Sequence, residues 1–185
     1  MSSAVRSRVN VRQMVMTAMF VALIAVCAWI TIPMTVPFTM QTFAVFAAAL
    51  LLGRRWGTAA VAVYLMLGAL GAPVFSGFGG GVGTLLGATG GYLIGFLPAV
   101  WIAGALGECS APLWRRILGC VLGLLVCYAF GTAWFVVVFL RGGREMTVLL
   151  ALSKCVFPFI LPDAMKIALA LLLPQRVLSA ARARP

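Results

Sequence analysis

Residues 117–140, ILGCVLGLLVCYAFGTAWFVVVFL, run for 24 positions without a charged side chain. A helix needs ~20 mostly apolar residues to cross the hydrocarbon core of a bilayer, where each backbone N–H and C=O must be bonded inside the protein. The run therefore predicts a transmembrane helix, and the chain on either side repeats the pattern. Residues 13–53 and 56–107 are also uncharged. Pro33 and Pro37 divide the first of these into 13–32 and 38–53. Pro73 and a glycine-rich stretch from Gly77 to Gly91 divide the second into 57–72 and 91–107. A last span is expected at 162–178, because Pro162 suits the first turn of a helix and not its middle.

Composition carries the same reading to the whole chain. Of 185 residues, 64% are hydrophobic and 9% charged, against ~45–50% and ~25% in soluble domains. A water-facing surface cannot be built from this supply, and the expected fold is an all-α integral membrane protein of six transmembrane helices in a single membrane domain, residues 1–185. Basic residues precede the first span as they do in a leader peptide, but its apolar run exceeds the ~7–15 residues of such a segment, so it reads as a retained helix.

The net charge of +11 is loop charge. Arg6, Arg8, Arg12, Arg54, Arg55, Arg115, Arg116, Arg176, Arg182 and Arg184 fall at the termini and in the second and fourth connections, whereas Arg141, Arg144 and Lys154 fall between the fifth and sixth spans. Ten basic residues against three place both termini in the cytoplasm and put the Pro33–Pro37 loop, the glycine-rich loop and the 141–154 loop on the outer face. Such a distribution sets topology and argues against nucleic acid as a partner.

Several kinds of chemistry are excluded by what the chain lacks. With no histidine there is no Ser-His-Asp or Cys-His arrangement and no imidazole metal site. Three carboxylates leave little general acid–base capacity. Neither Lys154 nor Lys166 follows a glycine, so no P-loop for ATP is present, and uphill transport would draw its energy from a partner or a gradient. The five cysteines (Cys27, Cys109, Cys120, Cys127, Cys155) are scattered without a C-x-x-C pair and read as small buried apolar residues. No cofactor, metal or catalytic residue is expected.

Asp163 and Lys166 stand three apart at the start of an otherwise apolar span, hence on one helix face. Each charge in hydrocarbon costs ~2.5–3.5 kcal/mol on insertion scales, so both must face protein or water. They are either a neutralising pair that caps the helix or a ligand site. Small residues recur at every fourth position, Gly79, Gly83, Gly87, Gly91, Gly95, Ala99, Ala103 and Gly107. Over 91–107 this stripe reads as a close helix-packing seam, while over 77–90 a ligand-covering loop and a plain connection stay equally open. Ala18 and Ala22 form a small-x-x-x-small pair on the first helix. The aromatic residues Phe75, Phe78, Tyr92, Phe96, Tyr128, Trp134 and Phe135 lie towards the outer halves of their spans, as an interfacial belt or as a pocket lining.

Taken in order, these segments resemble the BioY family, the biotin-specific substrate-binding (S) components of energy-coupling factor (ECF) transporters. The likeness runs from Ala18 to about Lys166. It rests on Pro37-Phe38-Thr39-Met40-Gln41-Thr42-Phe43-Ala44-Val45, Leu51-Leu52-Gly53-Arg54-Arg55-Trp56-Gly57, Tyr64-Leu65-Met66-Leu67-Gly68-Ala69 with Pro73-Val74-Phe75, Gly87-Ala88-Thr89-Gly90-Gly91-Tyr92-Leu93-Ile94-Gly95-Phe96, Tyr128-x-x-Gly131-x-x-Trp134 and Pro162-Asp163-x-x-Lys166. The resemblance implies a multi-pass protein of the bacterial cytoplasmic membrane that binds biotin at its outer face with high affinity. It also implies delivery of biotin with a transmembrane coupling (T) protein and ABC-type ATPase subunits, in keeping with the missing P-loop.

The family's Asp and Lys match Asp163 and Lys166, and its partner-contacting alanines match Ala18 and Ala22. Ala88 stands where the family usually has proline, and Phe78-Gly79 where its loop usually has glycine and then a larger polar residue. The expected ligand-binding set is Asp163 accepting ureido N–H, Lys166 donating to the carbonyl or carboxylate, and Gln41, the Gly79, Gly80 and Gly81 backbone, Tyr92 and Trp134 completing an apolar pocket. The rival readings are an S component for another vitamin, a membrane-embedded enzyme, and a structural protein built on the glycine seam.

Overall fold

The computed structural model describes residues 11–34, 36–107, 111–143 and 146–182, with side chains described to Leu173. Arg6, Arg8, Cys109, Arg144 and Arg184, and the side chains of Arg176 and Arg182, lie outside the described residues. The first helix, α1, spans Val11–Trp29. Pro33 and Pro37 have no N–H to extend a helix, and the chain between α1 and the next helix instead forms an antiparallel ribbon of β1 (Thr31–Ile32) and β2 (Phe38–Thr39), in which Thr31 pairs with Thr39 and Ile32 with Phe38. The expected helices 13–32 and 38–53 thus give up their adjoining residues to the ribbon. Met40 N–H donates to the carbonyl of Cys27 at 3.1 Å, which satisfies one of the orphan acceptors at the end of α1.

The segment α2, Gln41–Ala69, is helical apart from Gly53, whose φ of 75° and ψ of −177° turn the chain back on itself. Gln41 Nε2 lies 2.6 Å from Tyr64 Oη, whereas a continuous helix at ~1.5 Å per residue would hold them ~35 Å apart. The two arms, 41–52 and 54–69, are therefore an antiparallel hairpin with Arg54 and Arg55 at its tip. Gly57 permits the approach, since a Cβ there would stand 3.0 Å from the Ala48 carbonyl oxygen.

Beyond it come α3 (Val82–Leu86), α4 (Gly90–Leu106), α5 (Leu113–Arg141), α6 (Val148–Cys155) and α7 (Ile160–Arg182). Pro162 falls in the first turn of α7, where a backbone N–H has no helical acceptor to lose. The expected 141–154 loop instead contains α6, a helix of 8 residues that buries Ala151 and Cys155 and leaves Val148, Leu149 and Leu150 exposed.

Among the described residues four stretches are long and apolar enough to cross a membrane, Val11–Trp29, Gln41–Ala69, Leu113–Arg141 and Val148–Leu173, and Gly90–Leu106 is a shorter apolar helix. Since Gln41–Ala69 is a hairpin, the described residues make six helical passes, and the chain is an all-α, multi-pass membrane protein. Residues 44–50, in the first arm of α2, are buried throughout and packed among α1, α4 and α7. A pass surrounded by protein has its backbone shielded from lipid by its neighbours and can be short.

Within α4 the small-residue stripe lies at the contact with α5. A Cβ on Gly91 would come within 2.2 Å of Trp134 Cβ, one on Gly131 within 2.2 Å of the Tyr92 ring, and one on Gly123 within 2.7 Å of the Ala99 oxygen. The far end of α4 meets the α2 tip in the same manner, a Cβ on Gly104 falling 2.7 Å from Arg54 Cα. There the Arg54 guanidinium lies 5.2 Å from the centre of the Trp101 ring. At the opposite end, the ribbon, the 71–89 connection, α6 and the start of α7 come together over a cavity.

Candidate ligand-binding site

Each element contributes to the cavity from its end. The ribbon and the start of α2 supply Thr39, Gln41 and Thr42, α4 supplies Tyr92, Leu93 and Phe96, and α5 supplies Leu124, Cys127 and Tyr128. Cys155 from α6, Phe159, and Asp163 and Lys166 from the first two turns of α7 close the far side, with Phe75, Ser76, Thr84 and Thr89 of the 71–89 connection above. The cavity volume is ≈ 140 Å³. Its walls are mainly aromatic and aliphatic, with the polar groups in two clusters.

The first cluster is ionic. Lys166 Nζ donates to Asp163 Oδ1 at 2.8 Å, and Tyr128 Oη donates to Asp163 Oδ2 at 2.6 Å. The ammonium also sits 3.9 Å from the centre of the Phe38 ring, close enough for a cation–π contact. Asp163 and Lys166 are each only 3% exposed. Two charges so deeply buried are tolerable only when paired and hydrogen-bonded, and here every oxygen of the carboxylate has a partner while lone pairs remain, since a carboxylate accepts at about four sites. The ammonium likewise has N–H groups beyond the one given to Asp163.

The second cluster is neutral. Gln41 Oε1 accepts from Thr39 Oγ1 at 3.1 Å, its Nε2 donates to Tyr64 Oη at 2.6 Å, and Tyr64 Oη donates to the Val74 carbonyl at 3.0 Å. This relay ties the start of α2 to the 71–89 connection and leaves one amide N–H of Gln41 to spare. Tyr92 Oη and Thr132 Oγ1 are 3.0 Å apart.

Of the residues expected to form the site, the structure brings Asp163, Lys166, Gln41 and Tyr92 to the cavity wall. Trp134, Gly79, Gly80 and Gly81 are not among the lining residues. Trp134 packs against Gly91, and its Nε1–H donates to the Gly87 carbonyl at 3.0 Å. Gly79 bonds back to Ser76, Gly80 abuts the Ala72 carbonyl, and Gly81 N–H donates to the Gly68 carbonyl at 2.6 Å. The expected ligand-binding set left out Tyr128, which the sequence offered only as part of an interfacial belt or a pocket lining, although a tyrosine hydroxyl in the middle of an apolar span must find a partner, and the only carboxylate in a span was Asp163. It also left out Phe38 and the Thr39–Gln41–Tyr64 relay. Ala18 and Ala22 are not among the residues lining the cavity and lie on the exposed face of α1, beside Val15, Met19 and Val26.

Comparison with known proteins agrees with this architecture. The chain is 41% identical over 167 residues to the biotin transporter BioY of Thermotoga maritima, covering 90% of this chain and 95% of that protein. It is 40% identical over 167 residues to the probable biotin transporter BioY of Pyrococcus horikoshii, covering 90% and 96%. Its fold matches the crystal structure of the S-component for biotin from an ECF-type ABC transporter with a TM-score of 0.79 and 25% sequence identity, over 95% of each chain. The profile of the BioY family matches residues 1–183, and the chain belongs to that family.

Proposed function

We propose that this chain is a biotin-binding membrane subunit for biotin uptake and that biotin occupies the cavity beneath the ribbon and the 71–89 connection. The observation that carries the reading is the Asp163–Lys166–Tyr128 cluster, a buried ionic group with hydrogen-bonding capacity left over, facing an otherwise apolar cavity in a member of the BioY family. Biotin has a ureido group with two N–H donors and one carbonyl, an apolar fused ring and a carboxylate tail. Asp163 accepts from the ureido N–H groups, Lys166 donates to the ureido carbonyl, Gln41 adds its spare N–H, and Tyr92, Phe96 and Phe75 enclose the ring. Gly79, Gly80, Gly81 and Trp134 act at one remove, by shaping the cover.

The ten-to-three distribution of loop arginines and lysines supports cytoplasmic termini, which turns the cavity to the outer face. The subunit works as one membrane domain, binds and does not transform its ligand, and hands it over with a transmembrane coupling protein and ABC-type ATPases. The exposed alanine pair on α1 is the surface on which the coupling protein docks.

The deciding experiment is purification of the full chain in detergent, followed by assay for co-purified biotin and by calorimetric titration. Biotin should be bound, while riboflavin and thiamine should neither bind nor compete. A folded protein that binds no biotin would overturn the reading, and conversion of bound biotin to a product would replace it with an enzymatic one.

A further inference from the structure

We infer that the cavity selects its ligand by the uncharged cyclic-urea head and gives no weight to the charge of the tail, so that it also accepts biotin whose carboxylate is an amide. This inference rests on the reading of the cavity as the biotin site. Among the described residues that line the cavity the charged groups are Asp163 and Lys166 alone, and they neutralise each other at 2.8 Å. A ligand carboxylate brought to Lys166 would stand beside the Asp163 carboxylate at a buried pair, where like charges repel strongly and desolvation opposes the charged form. A head that carries two N–H donors and a carbonyl meets the pair without adding charge.

The tail then reaches the other polar part of the wall, the half-buried hydroxyls Ser76, Thr84 and Thr89. No cation stands there among the described lining residues, and the described basic residues near this end of the molecule, Arg141 and Lys154, are exposed and outside the cavity wall. The hydroxyls are not arranged for an anion. Thr84 already donates to the Gly80 carbonyl at 3.0 Å and offers only lone pairs, which an amide N–H can use and a carboxylate cannot. Ser76 shares a hydrogen bond with Thr31 at 3.0 Å, and Thr89 can donate or accept. A rim of mixed donors and acceptors serves a neutral amide as well as a carboxylate.

The test is calorimetric titration of the detergent-solubilised full chain with biotin and with its primary amide, which has the same shape without the charge. The amide should bind within about 10-fold of biotin, a difference no larger than 1.4 kcal/mol. A greater loss overturns the inference. A second arm uses Lys166→Met, which should weaken biotin and the amide by the same factor, because Lys166 reads the head. Weakening of biotin alone would place the carboxylate at Lys166 and also overturn it. Failure of the unmodified protein to bind biotin at all is a different result, since that removes the proposed function.

Discussion

Asp163 has no partner to spare. Its carboxylate is held at Oδ1 by Lys166 and at Oδ2 by Tyr128, one from its own helix and one from α5, so the orientation of the group is set by two elements at once. Asp163→Asn keeps the shape, loses the anion and leaves Lys166 without its counter-charge; biotin binding should weaken by ~1–3 kcal/mol, the usual consequence of a poorly satisfied buried polar group. Tyr128→Phe removes only the hydrogen bond to the carboxylate and should weaken binding by ~1.5–3 kcal/mol, the range for a hydrogen bond to a charged group. Titration of each variant, with a thermal melt to establish folding, measures both effects. Unchanged affinity in Asp163→Asn and in Lys166→Met would reduce the pair to a helix cap. The aspartate and lysine were legible in the sequence because charges inside an apolar run are conspicuous. Tyr128 was not, because an interfacial belt explains a tyrosine equally well until α5 is seen to pack beside α7.

The stripe of small residues carries its own lesson at the level of elements. Spacing alone makes Gly83 and Gly91 equivalent, yet a Cβ on Gly83 would meet nothing within 4 Å while one on Gly91 would strike Trp134. The difference arises because α4 lies against α5 and the 82–86 turn does not. Gly131→Ala, whose new methyl would stand 2.2 Å from the Tyr92 ring, should cost ~1–3 kcal/mol of stability as an overpacked contact. It should also weaken biotin binding, since Tyr92 lines the cavity. Gly83→Ala should leave both properties near those of the unmodified protein. Thermal unfolding in detergent and titration of the two variants side by side provide the check, and equal behaviour of the two would deny the seam its role. The hairpin in α2 illustrates the same point. Two arginines at 54 and 55 signal a break in the spans, but the turn itself depends on the positive φ of Gly53, a conformation open to glycine at little cost.

For the whole molecule, orientation and coupling each carry a prediction. If the termini are cytoplasmic, a cysteine introduced at Gly142 in a cysteine-free background should react with an impermeant maleimide added to intact cells; labelling only after permeabilisation would invert the arrangement. Ala18 and Ala22 leave a shallow strip on the exposed face of α1, and close helix contact in lipid depends on van der Waals fit. Ala18→Leu combined with Ala22→Leu should therefore leave biotin binding by the isolated subunit within about 2-fold, well under the 1.4 kcal/mol of a tenfold change, while abolishing co-purification with the coupling protein and ATPase-driven uptake. Normal uptake at normal expression would return the two alanines to a lipid-facing role. Hydropathy and proline positions by themselves determined an all-helical, multi-pass membrane protein and the ionisable pair, because those properties are local or additive along the chain. Tertiary structure alone decided that Tyr128 and Phe38 join the pair, that Trp134 and Gly79–Gly81 stand behind the cavity wall, and that residues 148–155 are helical. Each of these depends on which helix faces lie against one another, and packing between segments far apart in sequence leaves no periodic trace in either of them.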